Sequence, residues 1–358
     1  MTVSFRVIDS GVAEGRQQIA FDQALVELHS EGTVPDSLRF LRFPPTVLVG
    51  RHQVLSHEIK VKHCRDNGIG IVRRITGGGA IYLDENQVGW ELVFDRRNLP
   101  MNDLVAYTQT ICEAVADGLS TAFGIDARFR PRNDIEVEGQ KLCGTGGFFD
   151  GNTLIYQGTV LVDVDPAAMM ACLNVPEAKL AKRQLDKAEN RVTTLKALLG
   201  TAPAVDDVHC AIISGLETNL GIACTPQSVG IDEDERAIEI YREEIGTDAF
   251  VYGTDSPDAP DVLSSGRTTP GGTLTAYARL DGPSGAPRIR EILLTGDFFI
   301  TPPRTVLDLE ASLRGVAVAD AGEHVTNFFE QADVGMVSLS VDDFRSVIAE
   351  TVQAIEPA

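Results

Sequence analysis

Apolar residues recur at helical spacing in two long stretches of this chain and at strand spacing through much of the rest. In "AEGRQQIAFDQALVELHSEG", Ile19, Ala20, Leu25, Val26 and Leu28 share a helical face, and Gly32 follows as a stop. "NDLVAYTQTICEAVADGLSTAFG" repeats the arrangement through Leu104, Ile111, Val115 and Leu119 up to Gly124. "SLRFLRFPPTVLVGRHQ" reads as two short strands parted at Pro44 and Pro45, because proline removes a ladder donor. "IGIVRRITGGGAIYLDENQVGWELVFD" gives three strand-like pieces, the last alternating around Trp90, Leu92 and Phe94. "IEVEGQKLCGTGGFF" and "NTLIYQGTVLVDVD" form a hairpin-like pair, and a helical region follows from about residue 166 to 221.

The pattern then changes. Residues 252–272 are dense in Pro, Gly, Ser and Asp, which predicts a linker. Beyond it, "TLTAYARLDG" and "RIREILLTGDFFI" look like strands, and "TVLDLEASLRG" and "VDDFRSVIAETVQAI" like helices. A chain of 358 residues is long enough for two domains. The expected division is residues 1–250, a linker at 251–272, and a small α+β domain at 273–358.

Composition narrows the function classes. Hydrophobic residues make up 43% and charged residues 23%, the profile of a soluble globular protein. No run reaches the ~18 apolar residues of a membrane span, and "MTVSFRVIDSG" has neither the basic nor the apolar region of a signal peptide, so a cytoplasmic protein is expected. The six cysteines lack metal-site spacing and read as reduced. A net charge of −21 disfavours a nucleic-acid binder while permitting one local cationic pocket, and it is also what a saline habitat would favour.

Two segments carry candidate chemistry. Gly77, Gly78 and Gly79 follow Arg73 and Arg74; consecutive bare amides can cradle an anion, and guanidinium suits phosphate or carboxylate. A tight turn between strands explains the same glycines. Some sixty residues on, Lys141 stands before a second glycine cluster at 144, 146 and 147, in a chain with only seven lysines. One compact positive charge there suits a site where two anions meet.

These residues resemble the lipoate–protein ligases of the biotin/lipoate ligase superfamily, in the long form with a C-terminal accessory domain. The likeness rests on "RRITGGGAIYLD" (73–84), on Gly50, Arg51 and Gln53, and on "RND" at 132–134. It continues through Gly139, Lys141 and Gly144, Gly158 and Thr159, Arg191 to Leu195, and "GDFF" at 296–299. It implies an α+β fold, with a mixed or antiparallel sheet in the catalytic domain. It also implies a two-step reaction in which lipoate or octanoate attacks ATP to give acyl-AMP, and a lysine of a lipoyl-domain acceptor then takes the acyl group. Lys141 would sit between carboxylate and α-phosphate. Gly77, Gly78, Gly79, Ala80, Ile81 and Tyr82 would approach the nucleotide, with Arg73 or Arg74 on phosphate or adenine. Asn133 and Asp134 would meet Mg²⁺ or the acceptor amine, with Asp134 the metal ligand. The acceptor would be a glycine-cleavage H protein, an H-protein-like carrier or a 2-oxoacid dehydrogenase lipoyl domain. "KLAKRQLDK" at 179–187 is the candidate docking patch. A monomer is expected, and a second domain that swings about residues 252–272 between the half-reactions.

Two departures stand out. Leu83 replaces a usual histidine, and Tyr156 and Gln157 stand where His-His or Gln-His is common. The rival readings are an octanoyl or lipoyl transferase working through a cysteine thioester, and a non-catalytic lipoate-binding protein. Cys143 is the only thiol in the motif region and reads as packing. A biotin ligase would carry "GRGR", which is absent.

Overall fold

The computed structural model describes residues 2–174, 192–255, 257, 259–269, 272–283, 285–337 and 339–353. The larger domain begins with β1 (Val3–Val12), helix α1 (Gly15–Ser30), β2 (Ser37–Arg42), β3 (Thr46–Val49), β4 (Gly70–Arg73) and β5 (Ile81–Leu83). There follow β6 (Gln87–Asp95), α2 (Leu104–Phe123), β7 (Arg128–Arg130), β8 (Asp134–Val137), β9 (Gln140–Asp150) and β10 (Thr153–Leu161). Helix α3 (Val205–Leu220), β11 (Ile222–Pro226) and α4 (Ile231–Ile240) complete it. The docking patch at 179–187 and Arg191 lie outside the described residues.

An eight-stranded mixed sheet in the order β11-β1-β2-β6-β10-β9-β8-β7 organises this domain, and a small sheet β4-β3-β5 packs beside it. β1 runs parallel to β2 and β11, while β2, β6, β10 and β9 alternate antiparallel. On one face, α2 and α3 cover Trp90, Phe94 and Tyr156 through Ile111, Ile212 and Leu216. On the other, α1 and the small sheet cover Val93 and Ile155 through Leu25 and Val72. β6 is therefore buried from Gln87 to Phe94, not only at its alternate apolar positions. A strand sandwiched between two covered faces has no solvent side.

The expected helices form where their stops place them. Asp103 accepts from the Ala106 amide at 2.9 Å to start α2, and Gly124 ends it at φ +65°. The β8–β9 hairpin turns through Glu138 and Gly139 at φ +51° and +81°, a left-handed pair suited to a two-residue turn.

The linker reading needs correction. Asp248–Tyr252 is helical, and β12 (Leu263–Thr269) pairs antiparallel with β13 (Gly272–Asp281), which pairs with β14 (Arg288–Gly296). Only 253–262 connects the units without regular structure among the described residues. "LSSGRTT" looks like a loop by composition because β12 is an edge strand with alternate residues exposed. Helices α5 (Thr305–Ser312), α6 (Ala321–Gln331) and α7 (Val341–Gln353) complete the small domain. It has its own core around Leu274, Ile289, Phe298, Phe329 and Phe344. The sequence pattern did not mark α6.

The small domain rests directly on the glycine loop. The Gly78 amide donates to the Phe298 carbonyl at 3.2 Å, and the Gly296 amide to the His52 carbonyl at 2.9 Å. The His52 ring stacks on Phe298 with centroids 5.1 Å apart. Burial, with Arg51 and Arg73 nearby, pulls His52 down to about 3, so the stacked ring is neutral. At Gly77 a Cβ would run into the Phe298 carbonyl, a backbone atom with nowhere to go, whereas at Gly79 it would meet nothing within 4 Å. Gly77→Ala is therefore expected to destabilise the protein by about 1–3 kcal/mol, the usual scale of overpacking, and Gly79→Ala by about 0.5 kcal/mol or less. Thermal or denaturant unfolding of the two variants checks this, and equal midpoints would reject the close fit.

Candidate active site

A cavity of about 1120 Å³ opens between the glycine loop, β9, β10 and the small domain. Of the residues singled out from sequence, Arg74, Gly77, Gly78, Gly79, Ala80, Ile81, Tyr82, Asn133, Asp134 and Lys141 all line it. Tyr82 and Lys141 thus come together although they are far apart in the chain. Their meeting is a product of the two sheets packing.

Lys141 begins the site at the start of β9. Its ammonium lies over Gly144, in the space a Cβ there would take. Lys141 Nζ bonds Asp134 Oδ1 at 2.8 Å, and Arg130 bonds Asp134 Oδ2 at 2.5 Å. Burial pushes the Asp134 carboxyl up, but Lys141 and Arg130 outweigh it and hold the group below the usual carboxylate range. The Thr193 amide donates to the Lys141 carbonyl at 2.9 Å, anchoring the lysine's backbone to the segment after Arg191. As a metal ligand Asp134 fits poorly here: both oxygens already meet cations, and no cluster of three His, Cys, Asp or Glu able to hold a metal exists among the described residues.

The arginine pair divides its labour. Arg73 is fully buried and donates to the carbonyls of Gly50, Arg51, Gln53, Phe250 and Val251. It ties the loop after β3 to the helix at 248–252 and has no reach to a ligand, which corrects the nucleotide-contact reading for this residue. Arg74 does line the cavity, and it donates to Leu48, Gly77 and Gly79 carbonyls at 3.1, 2.9 and 3.0 Å. Its guanidinium shapes the glycine loop from inside.

The glycines have an answer the sequence did not supply. Phe298 and Phe299 of the small domain approach the loop so closely that Gly77 and Gly78 cannot carry side chains. The Phe299 ring also fills the space where a Cβ of Gly146 would stand. Gly78 further needs φ +91°, a region L-residues avoid. Asn133 is held by its side-chain amide on the Thr145 carbonyl, and its own carbonyl accepts from the Thr145 amide at 2.9 Å. That locks the turn presenting Asp134.

Away from Lys141 the wall becomes apolar, with Ile19, Leu41, Phe43 and Leu48. Behind it Arg39 donates to Asp22 at 2.6 Å and Glu91 at 2.8 Å, all three fully buried. Burial and the adjacent Glu91 push Asp22 up to about 8, against the pull of Arg39. Leu83 lines the cavity without any titratable group, and Gln157 faces it from β10. None of the six cysteines lines it. Cys143 is fully buried, and burial drives its thiol pKa well up. Sequence reasoning missed Asp22, Thr76 and Phe299; "GDFF" marked the last as a motif without showing that its ring reaches the first domain.

With this geometry in hand, the comparisons are specific. The lipoyl protein ligase A/B catalytic domain model matches residues 14–217. An octanoyltransferase LipM of Halalkalibacterium halodurans is 26% identical, over 70% of this chain and 99% of that protein. The lipoate-protein ligase A subunit 1 of Thermoplasma acidophilum is 27% identical, over 66% of this chain and 92% of its own length. Among solved structures, P. falciparum LipL1 in complex with lipoate superposes with a TM-score of 0.75 at 16% identity, covering 97% of this chain and 99% of its own. A lipoate-protein ligase A bound with ATP gives 0.60 at 24% identity, over 70% and 99%. These likenesses show the biotin/lipoate ligase fold, in the LipL1 case through both domains. The family match spans more than half of the sequence and contains Lys141, the glycine loop and most of the residues that line the cavity, so the chain belongs to the lipoyl protein ligase A/B family.

Proposed function

We propose that this protein is an ATP-dependent lipoate–protein ligase, activating lipoate or octanoate as acyl-AMP and passing the acyl group to a lysine of a lipoyl-domain protein. The observation that carries this reading is a cavity lined by Lys141, by apolar residues such as Ile19, Leu41 and Phe43, and by none of the six cysteines. Adenylation brings a carboxylate against an α-phosphate, and Lys141 supplies the positive charge that offsets their repulsion as charge develops. Asp134 holds the ammonium over Gly144 until the two anions arrive. Arg74 adds a second fixed positive charge to the same wall. Mg²⁺ would accompany the triphosphate, drawing its ligands from phosphate oxygens and water and offsetting phosphate charge, and not from Asp134, whose oxygens are taken by Lys141 and Arg130. The acceptor is a lipoyl-domain protein of the H-protein or 2-oxoacid dehydrogenase kind, as the resemblance implies.

The second reading, an octanoyltransferase using a cysteine thioester, is favoured by the relatives that bear that name. It needs a reactive thiol at the acyl carbon. The most central thiol, Cys143, is buried among core residues and held protonated.

Lys141→Ala is expected to lower acyl-AMP formation by about 10²–10³-fold, the scale of removing one preorganised charge, with the fold intact. Pyrophosphate release on mixing with ATP and lipoate reads it, and near-normal release from a folded variant would reject the role. For the thiol, Cys143→Ser is expected to keep turnover, and intact-protein mass spectrometry to find no acyl adduct on Cys143. A stable thioester there would move the protein to the transferase reading.

The small domain matters to the first step. In the present arrangement the Gly78 amide is engaged by Phe298, and the Phe299 ring lies between Gly78 and Gly146. A nucleotide drawing on those amides competes with the small domain for them, so the domain moves away on activation, turning within 253–262. Inter-domain distance labels, recorded without ligand and with a non-hydrolysable lipoyl-AMP analogue, should give two different distributions. Identical distributions would reject the motion.

A further inference from the structure

Behind the apolar wall sits a polar assembly that adenylation does not use. Gln157 Nε2 donates to Asp22 Oδ2 and to Glu91 Oε2, each at 2.7 Å. Arg39 already donates to the other oxygen of each carboxyl, and the two N–H groups of Gln157 serve both facing oxygens, whereas a carbonyl there could accept at most one proton, from Asp22; the nitrogen therefore turns toward the carboxyls and the carbonyl away from them. Arg39 closes the far side through Asp22 and Glu91, with its other donors on Ser10 and Gln18. Turning the amide over would leave the buried Glu91 oxygen short of a donor, so the orientation is held.

The carbonyl end is left under-satisfied. Its hydrogen-bond neighbour among the described residues is Thr76 Oγ1 at 3.4 Å, too long for a good hydroxyl bond. Gln157 and Thr76 both line the cavity, and Gln157 is part-exposed to it. Gln157 lies opposite Gly146 in the β9–β10 register, two residues beyond the Gly144 that carries the Lys141 ammonium. That is roughly 7 Å along the strand, within reach of the far part of a medium-length acyl chain whose carboxylate lies at Lys141.

Resting on the acyl-activating reading above, we propose that Gln157 reads the far end of the acyl chain, and that the cavity takes a chain carrying a hydrogen-bond donor there, a thiol or a hydroxyl, in preference to a saturated one. A saturated chain shuts the Gln157 carbonyl away from water with only the long Thr76 contact to bond. A donor-bearing chain completes it. Asp22, Glu91 and Arg39 are positioning residues that fix which face of the amide the substrate meets.

The test compares matched acids in the adenylation step: 8-hydroxyoctanoate with octanoate, and the reduced dithiol form of lipoate with the cyclic disulfide. The wild-type protein is expected to favour the donor-bearing member of each pair by about 10-fold in kcat/KM, the worth of one neutral hydrogen bond. Gln157→Leu should reverse the order in both pairs. Because that change leaves the two carboxylates short of a donor, Glu91→Gln serves as the second variant. It frees one Gln157 N–H to turn outward, and the preference should shrink toward unity while octanoate is still used. A wild-type protein that uses the saturated chain as well or better would overturn the proposal, as would a preference that persists in Gln157→Leu. Failure of every acid to support pyrophosphate release would instead overturn the acyl-activating reading, and this inference with it.

Discussion

Two backbones meet without side chains where the glycine loop touches the small domain, and the rest of the molecule is arranged around that contact. Gly77, Gly78 and Gly146 are bare where the Phe298 carbonyl and the Phe299 ring press against them. Packing so close leaves no slack, because interiors are as dense as organic crystals and do not absorb an extra methyl. The contact brings the small domain's aromatic pair to the edge of the cavity. The amide of Gly78, whose φ of +91° is left-handed, is engaged in the same contact. One loop therefore serves both as cavity wall and as the seat of the small domain.

Electrostatics around the cavity is local. A chain of net charge −21 still sets cations on its cavity wall, because a few are fixed there by their neighbours. Lys141 and Arg74 line the wall, while Arg73 is wholly engaged by carbonyls that hold the loop in shape. The acids nearest the site are themselves partnered: Asp134 by Lys141 and Arg130, Asp22 and Glu91 by Arg39 and Gln157. The surface charge, screened within about 8–10 Å at ordinary ionic strength, bears little on this interior.

Much of the architecture was legible because it is written in short-range chemistry. Helical spacing and glycine stops marked α1 and α2, and the Pro44–Pro45 break separated β2 from β3. Composition misled at β12, where Ser, Thr and Gly form an edge strand and not a linker, and α6 went unmarked although it is longer than α5. At β12 a neighbouring strand supplies the stability that local propensity lacks.

The sequence by itself determined that glycine loop, lysine and glycine-rich strand belong to one kind of site, since each residue type has a narrow chemical use at its spacing. Only the tertiary structure decided which of them face the cavity. Arg73 and Arg74 are adjacent in the chain and equal in chemistry, yet Arg73 is the last residue of β4 and Arg74 the first beyond it, and their surroundings bury one in carbonyls and leave the other lining the cavity. The same holds for Gln157: its side chain is an ordinary amide until Asp22 and Glu91, 135 and 66 residues away in the chain, fix its nitrogen and leave its oxygen facing the cavity side. Orientation of this kind comes from partners distant in sequence, and no local pattern encodes it.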